Sequence, residues 1–395
     1  MKNISSISSL SLSRACLVGV MTGLIPLAVA AGPTIKFGDQ GAVTFTYALQ
    51  GWMQQKGFTS DTDTGSSTDA FLRRNRLTFS GQYNDFVSFY TQLEAGNDGK
   101  LGVENKNIYY RDAYVTLDYR DDFRFIVGRF KNTFSRENLE ACLEPLTMDR
   151  AEALAYTPFG GTRDTGVAVW GNLLDAKLQY RFMVANGREG NVVAKDNPRL
   201  TARVHYSFWD PEFNYGYLGT YLGTQKVLTI GAAFDKQDGV AYGNYPSRSD
   251  IKDYKAYTVD AFMELPTKSG VYTVSAATFR YDTGGAINMS PDPDLTVNTD
   301  LKGYYVKAGY MLPGKVGSGR LQFFGRHEVS DFVAKVGIAE YYDQTWNALG
   351  AHYYLDGQNL KVSFEFAKVT FGTQHPTNPS LRDYNQATLG LQFIF

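Results

Sequence analysis

Residues 387–395 read ATLGLQFIF, an alternation that runs through to the final side chain, Phe395. Successive side chains of an extended strand point to opposite sides, so Leu389, Leu391, Phe393 and Phe395 share one face and Thr388, Gly390 and Gln392 the other. Chain ends are usually polar and frayed. An apolar face carried to the last residue needs a surface to cover it and a neighbouring strand to take its backbone groups.

The same period of two recurs upstream in stretches of about ten residues, each closed by Gly, Asn, Asp or Pro. Sixteen such segments can be drawn: 42–54, 71–83, 87–95, 107–119, 123–129, 164–171, 177–186, 199–208, 226–236, 254–264, 270–281, 303–312, 319–328, 346–355, 360–369 and 383–395. The links between them alternate in length. After the second, fourth, sixth, tenth, twelfth and fourteenth segments they hold six residues or fewer, as in NDF (84–86) and DGQN (356–359); after the odd ones they run from 11 to 34. The link 209–225, after the eighth, is long where a short turn is expected, and reads as an extended turn that places Tyr215, Tyr217 and Tyr221 near a subunit contact.

A single alternating strand fits a soluble sandwich as well as a membrane barrel. The alternating links separate the two, since short turns at one end and long loops at the other belong to an antiparallel barrel with an even strand count. Tyr83, Tyr119, Tyr206, Phe208 and Phe395 near segment ends fit aromatic girdles at the membrane interfaces. Open edges in hydrocarbon leave backbone groups unpaired at several kcal/mol each, so the expected fold is all-β: one closed, 16-stranded antiparallel transmembrane barrel.

Composition agrees. Aromatics make up 14% of the chain, with 27 Tyr and 26 Phe, while formal net charge is only −1. Lys2 and Arg14 precede an apolar run, Ala15–Ala30, that ends Ala28-Val29-Ala30. This is the pattern of a cleaved secretory signal over residues 1–30, leaving 31–395 as the barrel. Removing Lys2 and Arg14 from the 39 basic residues leaves 37 against 40 acidic ones, a net charge of −3, which argues against a nucleic-acid partner. Cys142 is then the only cysteine of the mature chain, so no intramolecular disulfide is available. The four His, at 205, 327, 352 and 375, lie in no nucleophile or metal pattern. No enzyme activity, cofactor or metal is therefore expected.

A closed barrel of sixteen strands encloses an aqueous channel. Parity sends Arg74, Arg76, Arg124, Arg181, Arg199, Arg203, Lys307, Arg320, Arg326 and Lys361 into the lumen, with Glu94, Asp112, Asp118, Asp235, Asp260, Glu264, Glu328 and Glu365. Rings of Arg and Lys in a pore favour anions. The link 130–163 is longer than a connection requires. Folded inward, it would set the narrowest point, with Ser135 capping a short helix.

FRFIVGRFKNTFSREN (123–138), RDTGVAVWG (163–171), FLRRNRLTFSG (71–81), DPEFNYGYLGTYLG (210–223) and the terminal Phe resemble the phosphate-selective porin O and P family. The resemblance covers essentially the whole mature chain. It implies a bacterial outer-membrane porin, homotrimeric, whose third long loop constricts a path for small anions such as phosphate-like oxyanions. It assigns Arg129, Lys131 and Arg136 to the start of that loop, with Arg74 and Arg76 as wall bases. Together with parity, the expected anion path is Arg74, Arg76, Arg124, Arg129, Lys131, Arg136, Arg199, Arg203 and Arg326. The 130–163 link carries more acids than bases, which favours general small-anion passage over phosphate alone. The alternative is a sheath that holds a periplasmic partner or a multihaem cytochrome in the outer membrane; the chain itself has no C-x-x-C-H haem site.

Overall fold

The computed structural model describes residues 32–57, 65–95, 107–151, 162–188, 193–244, 247–286, 296–336, 339–341, 344–373 and 382–395. The signal segment 1–30 and residues 152–161 of the long link lie outside them. In chain order the strands are β1 (Thr34–Phe37), β2 (Gly41–Gly57), β3 (Ser66–Gln82), β4 (Val87–Glu94), β5 (Tyr109–Arg120), β6 (Phe123–Lys131), β7 (Arg163–Leu173), β8 (Leu178–Ala185) and β9 (Arg199–Ser207). They continue as β10 (Val227–Asn244), β11 (Ser249–Thr267), β12 (Gly270–Asp282), β13 (Thr296–Met311), β14 (Arg320–Val336), β15 (Ala339–Tyr341), β16 (Gln344–Asp356), β17 (Leu360–Phe371) and β18 (Tyr384–Ile394). One helical turn, α1 (Arg136–Leu139), lies between β6 and β7.

Each long strand pairs antiparallel with its sequence neighbours, β14 pairs with β16 past the short β15, and β18 pairs with β2. The ring of sixteen long strands is therefore closed. Its seam runs through Leu49↔Phe393 and Gly51↔Leu391. At its end the Tyr47 and Phe395 backbones exchange two hydrogen bonds of 2.9 and 3.1 Å.

Burial decides between a water-facing and a lipid-facing exterior. On β18, Leu389, Leu391 and Phe393 are 48%, 53% and 44% exposed, while Thr388 and Gln392 are 1% and 2%. The apolar face is the outside and the polar face the inside, the reverse of a soluble protein. Across β14, β16, β17 and β18 the outer face runs in register rows: Leu321, Tyr353, Val362, Leu391; then Phe323, Ala351, Phe364, Leu389; then Gly325, Leu349, Phe366, Ala387. The next row is His327, Asn347, Lys368, Asn385. This switch from apolar to polar marks the upper edge of the lipid band. At the short-turn end, Tyr83, Tyr119, Tyr206, Phe208 and Phe395 are all exposed, as a girdle requires.

Several strands run well past the alternating segments, β10 to Asn244 and β14 to Val336, and β11 begins at Ser249 and β13 at Thr296. Beyond the lipid edge both faces meet water, so alternation fades while backbone pairing continues. That is why the pattern in the sequence stops short of the strand.

Candidate functional site

Two connections, one from each end of the barrel, meet against the inner wall. Residues 132–151 leave β6 on the long-loop side. Ser135 Oγ accepts the Asn138 N–H at 3.0 Å to start α1, and Lys131 Nζ donates to the Leu139 and Glu140 carbonyls at 3.0 and 2.7 Å, where the helix end presents unsatisfied oxygens. The wall then takes hold of the segment on many sides. Arg73 and Arg74 of β3 reach Asp149, each at 2.7 Å, and Lys307 of β13 pairs with Glu137. Arg326 of β14 donates to the Arg150 carbonyl at 3.3 Å and Lys361 of β17 to that of Leu143 at 3.0 Å. His352 Nε2 of β16 lies 3.2 Å from the Leu146 carbonyl.

Residues 208–226 leave β9 at the short-turn end and form a parallel bridge to this segment, Glu140↔Tyr217. Ala141 N–H donates to the Tyr217 carbonyl (2.8 Å), Tyr217 N–H to that of Leu139 (3.2 Å) and Gly219 N–H to that of Glu144 (3.0 Å). At Gly219 a Cβ would stand 2.4 Å from Leu146 N and 2.7 Å from Glu140 Oε1, so only glycine permits this approach. Arg136 forks onto Glu212 with two hydrogen bonds of 2.8 Å and lies over the Phe262 ring at 3.8 Å. Arg181 donates to the Tyr217 hydroxyl (2.7 Å) and the Tyr215 carbonyl (2.8 Å). Glu264 takes the Tyr221 and Gly223 N–H groups at 2.9 and 2.7 Å. Tyr215 and Tyr217 are buried. The expectation that this link is an outer turn carrying Tyr215, Tyr217 and Tyr221 to a subunit contact is thus corrected: these side chains pack on inward-facing Arg and Glu.

Most of the expected path bases hold a carboxylate. Arg74 has Asp149; Arg76 has Glu94 at 2.9 Å; Arg199 has Asp235 at 2.5 Å; Arg203 forks onto Asp260; Arg326 reaches Glu328 and Glu365 at 3.0 and 3.4 Å. Arg124 sits at the short-turn end between Asp118 and Asp121, 4.7 Å from the Trp170 ring. Arg129 is a correction. It is exposed on the face of β6 opposite buried Ile126 and Phe130, so parity puts it outside the lumen. The motif resemblance had placed it by its neighbours rather than by its face.

Two arginines join the cluster that parity sends outward. The β2–β3 register shifts between Gln50 and Gly51, opposite Arg73, and the β4–β5 register shifts between Gln92 and Leu93, opposite Arg111. Each bulge inserts one residue and re-aims its side chain. Arg73 lands beside Arg74 on Asp149, and Arg111 on Glu94 at 2.5 Å, with its other terminal nitrogen 3.8 Å from Cys142 Sγ. Nothing in the sequence signals either bulge. Glu212, the partner of Arg136, was also missed, because the link that carries it has no strand pattern.

On the 132–151 segment, Glu140 and Glu144 are buried at 1% and 0% exposure, and none of their four carboxylate oxygens has a hydrogen-bond partner among the described residues. Burial pushes Glu144 up to about 7; burial and neighbouring Glu137 push Glu140 up as well. Cys142 between them behaves oppositely. Burial opposes its ionisation, but Arg150, Arg111, Arg76 and Lys131 together hold the thiol well below its ordinary value. Beside it lies a cavity of about 510 Å³ lined by Arg76, Tyr90, Tyr114, Phe130, Lys131, Cys142, Glu144, Arg163 and Tyr215, among others.

A family model described as phosphate-selective porin O and P matches residues 45–244 and 272–395. A search of curated proteins found no match. Among solved structures, an anion-selective porin from Comamonas acidovorans is similar at 12% identity, with a TM-score of 0.58 and coverage of 90% of this chain and 100% of that one. OmpF of Salmonella typhi, in complex with daunomycin, aligns at 14% identity and a TM-score of 0.61, covering 92% and 100%. OmpT of Vibrio cholerae in its trimer form gives 11%, 0.52, and 90% and 100%. At these identities the likeness bears on the fold alone.

Proposed function

Because the chain belongs to the phosphate-selective porin O and P family, we propose that this outer-membrane channel passes small anions in preference to cations, through a constriction formed by residues 132–151 with 208–226. One observation carries the reading. Arg76, Lys131 and Arg163 line the cavity beside Cys142, with Arg111 3.8 Å from its Sγ, and the carboxylates paired with them are Glu94 and Asp112. An excess of positive charge at the narrowest place lowers the cost of bringing an anion out of bulk water. The path proposed is Arg74, Arg76, Lys131 and Arg136 at the constriction, with Arg124, Arg199, Arg203 and Arg326 on the wall. Among anions, general oxyanion passage fits the paired wall better than a phosphate-specific track.

A homotrimer is proposed with it, in keeping with the trimer form of the Vibrio cholerae OmpT. The cytochrome-sheath reading gains no support from the comparisons. Purified protein in a planar bilayer under a salt gradient should give a reversal potential of anion-preferring sign. Clear cation preference overturns the proposed path, and absence of any channel overturns the transport reading.

A further inference from the structure

The cavity beside Cys142 is poorly matched to a free inorganic oxyanion. Tyr90 and Tyr114 stack with centroids 5.3 Å apart and planes 17° apart; Phe130 stands edge-on to Tyr114 at 6.1 Å and Tyr215 edge-on to Phe130 at 6.1 Å. All four rings line the cavity, so one wall is a continuous aromatic sheet. A hydrated oxyanion against the ring faces loses water and gains no hydrogen bond from them in its place. Two polar groups do remain available. Arg76 gives Nε to Glu94 and its terminal nitrogens make no hydrogen bond to another described residue, and neither does the Tyr114 hydroxyl. About 510 Å³ also falls in the range of sites that hold small organic ligands.

We propose that this cavity is a binding subsite for a small aromatic carboxylate, whose ring lies on the Tyr114–Phe130 wall while its carboxylate meets Arg76 and the Tyr114 hydroxyl. The inference rests on the reading of the lumen as an anion channel and assigns that channel a class of solute. Flat rings gain from offset and edge contacts with aromatic side chains, and the guanidinium supplies a planar fork for a carboxylate. Phosphate would use only the second contact.

The test uses the purified protein in a planar bilayer at constant ionic strength, with benzoate, hexanoate and inorganic phosphate added in turn. Benzoate should reduce the current in a saturable way at concentrations where hexanoate and phosphate leave it unchanged. Phe130→Leu should weaken the benzoate block by about tenfold, the scale of one lost aromatic contact. Equal block by phosphate or by hexanoate overturns the proposal, and so does steady conductance with no benzoate effect, which leaves the channel itself standing. Absence of conductance overturns the channel reading and this subsite with it.

Discussion

Replacing Glu212 by alanine should release the 132–151 segment without opening the barrel. Arg136 and Glu212 are 1% and 2% exposed and joined by two hydrogen bonds of 2.8 Å. Removing one member of a buried pair leaves an uncompensated charge and costs about 3–5 kcal/mol. Here the relief available is local: the segment can swing its guanidinium toward water while the strand pairing is untouched. If opening is fast relative to labelling, that cost raises the population of the opened segment by roughly two to three and a half orders of magnitude. Cys142 reports on it, being 3% exposed and six residues beyond Arg136. The assay is the rate at which a neutral maleimide labels the native protein in detergent, alongside single-channel conductance. The double variant Arg136→Met, Glu212→Ala removes both charges and should recover most of the protection. Labelling of Glu212→Ala within tenfold of the unchanged protein, or a double variant more labile than Glu212→Ala, would refute the argument.

Three further outcomes are expected. Gly219→Val should drive a side chain into Leu146 N and Glu140 Oε1, raising both Cys142 labelling and conductance, while circular dichroism still reports an intact barrel. Glu144 carries a folded value of about 7 against an ordinary 4.5. The hold on its segment is therefore full below about pH 4.5 and lost as pH rises through about 7, a difference of about 3 kcal/mol. Current noise should grow between about pH 5 and pH 8, and Glu144→Gln should flatten that profile. Deleting Phe395 removes two seam hydrogen bonds and a ring contact with Tyr47 at 5.9 Å, lowering stability by about 1–3 kcal/mol in urea titrations of the refolded barrel.

How far the sequence could be read depended on which physical constraint each residue obeyed. Leu389, Leu391 and Phe393 answer to lipid on one side and Gln392 to the lumen on the other, so their period of two is visible without a structure. All sixteen long strands overlap the segments drawn from that pattern. Arg73 and Arg111 obey a bulge instead, and a bulge is a backbone event with no residue signature at these positions. Arg129 was misplaced because a motif fixes neighbours along the chain but not the face of a strand. The link 209–225 failed for another reason: its Tyr, Gly and Glu residues are satisfied by residues far off in sequence, on 132–151 and at Arg181 and Glu264 of the wall, and such partners leave no local pattern.

The paired wall changes how selectivity should be reasoned about. A count of inward bases treats Arg199, Arg203 and Arg326 as equal to any other, yet each holds a carboxylate within 3.0 Å. A close ion pair has a short-ranged field, so what a passing ion meets is the unpaired remainder. Glu94 is shared by Arg76 and Arg111, and Asp149 by Arg73 and Arg74. At Glu94 two cations divide one anion, where 132–151 meets the wall beside Cys142. The bulge that brings in Arg111 therefore adds a cation here: without it Glu94 would hold Arg76 alone. The anion preference proposed for this barrel then rests on strand irregularity as well as on composition. Arg111→Gln should shift the reversal potential toward zero more than Arg203→Gln does.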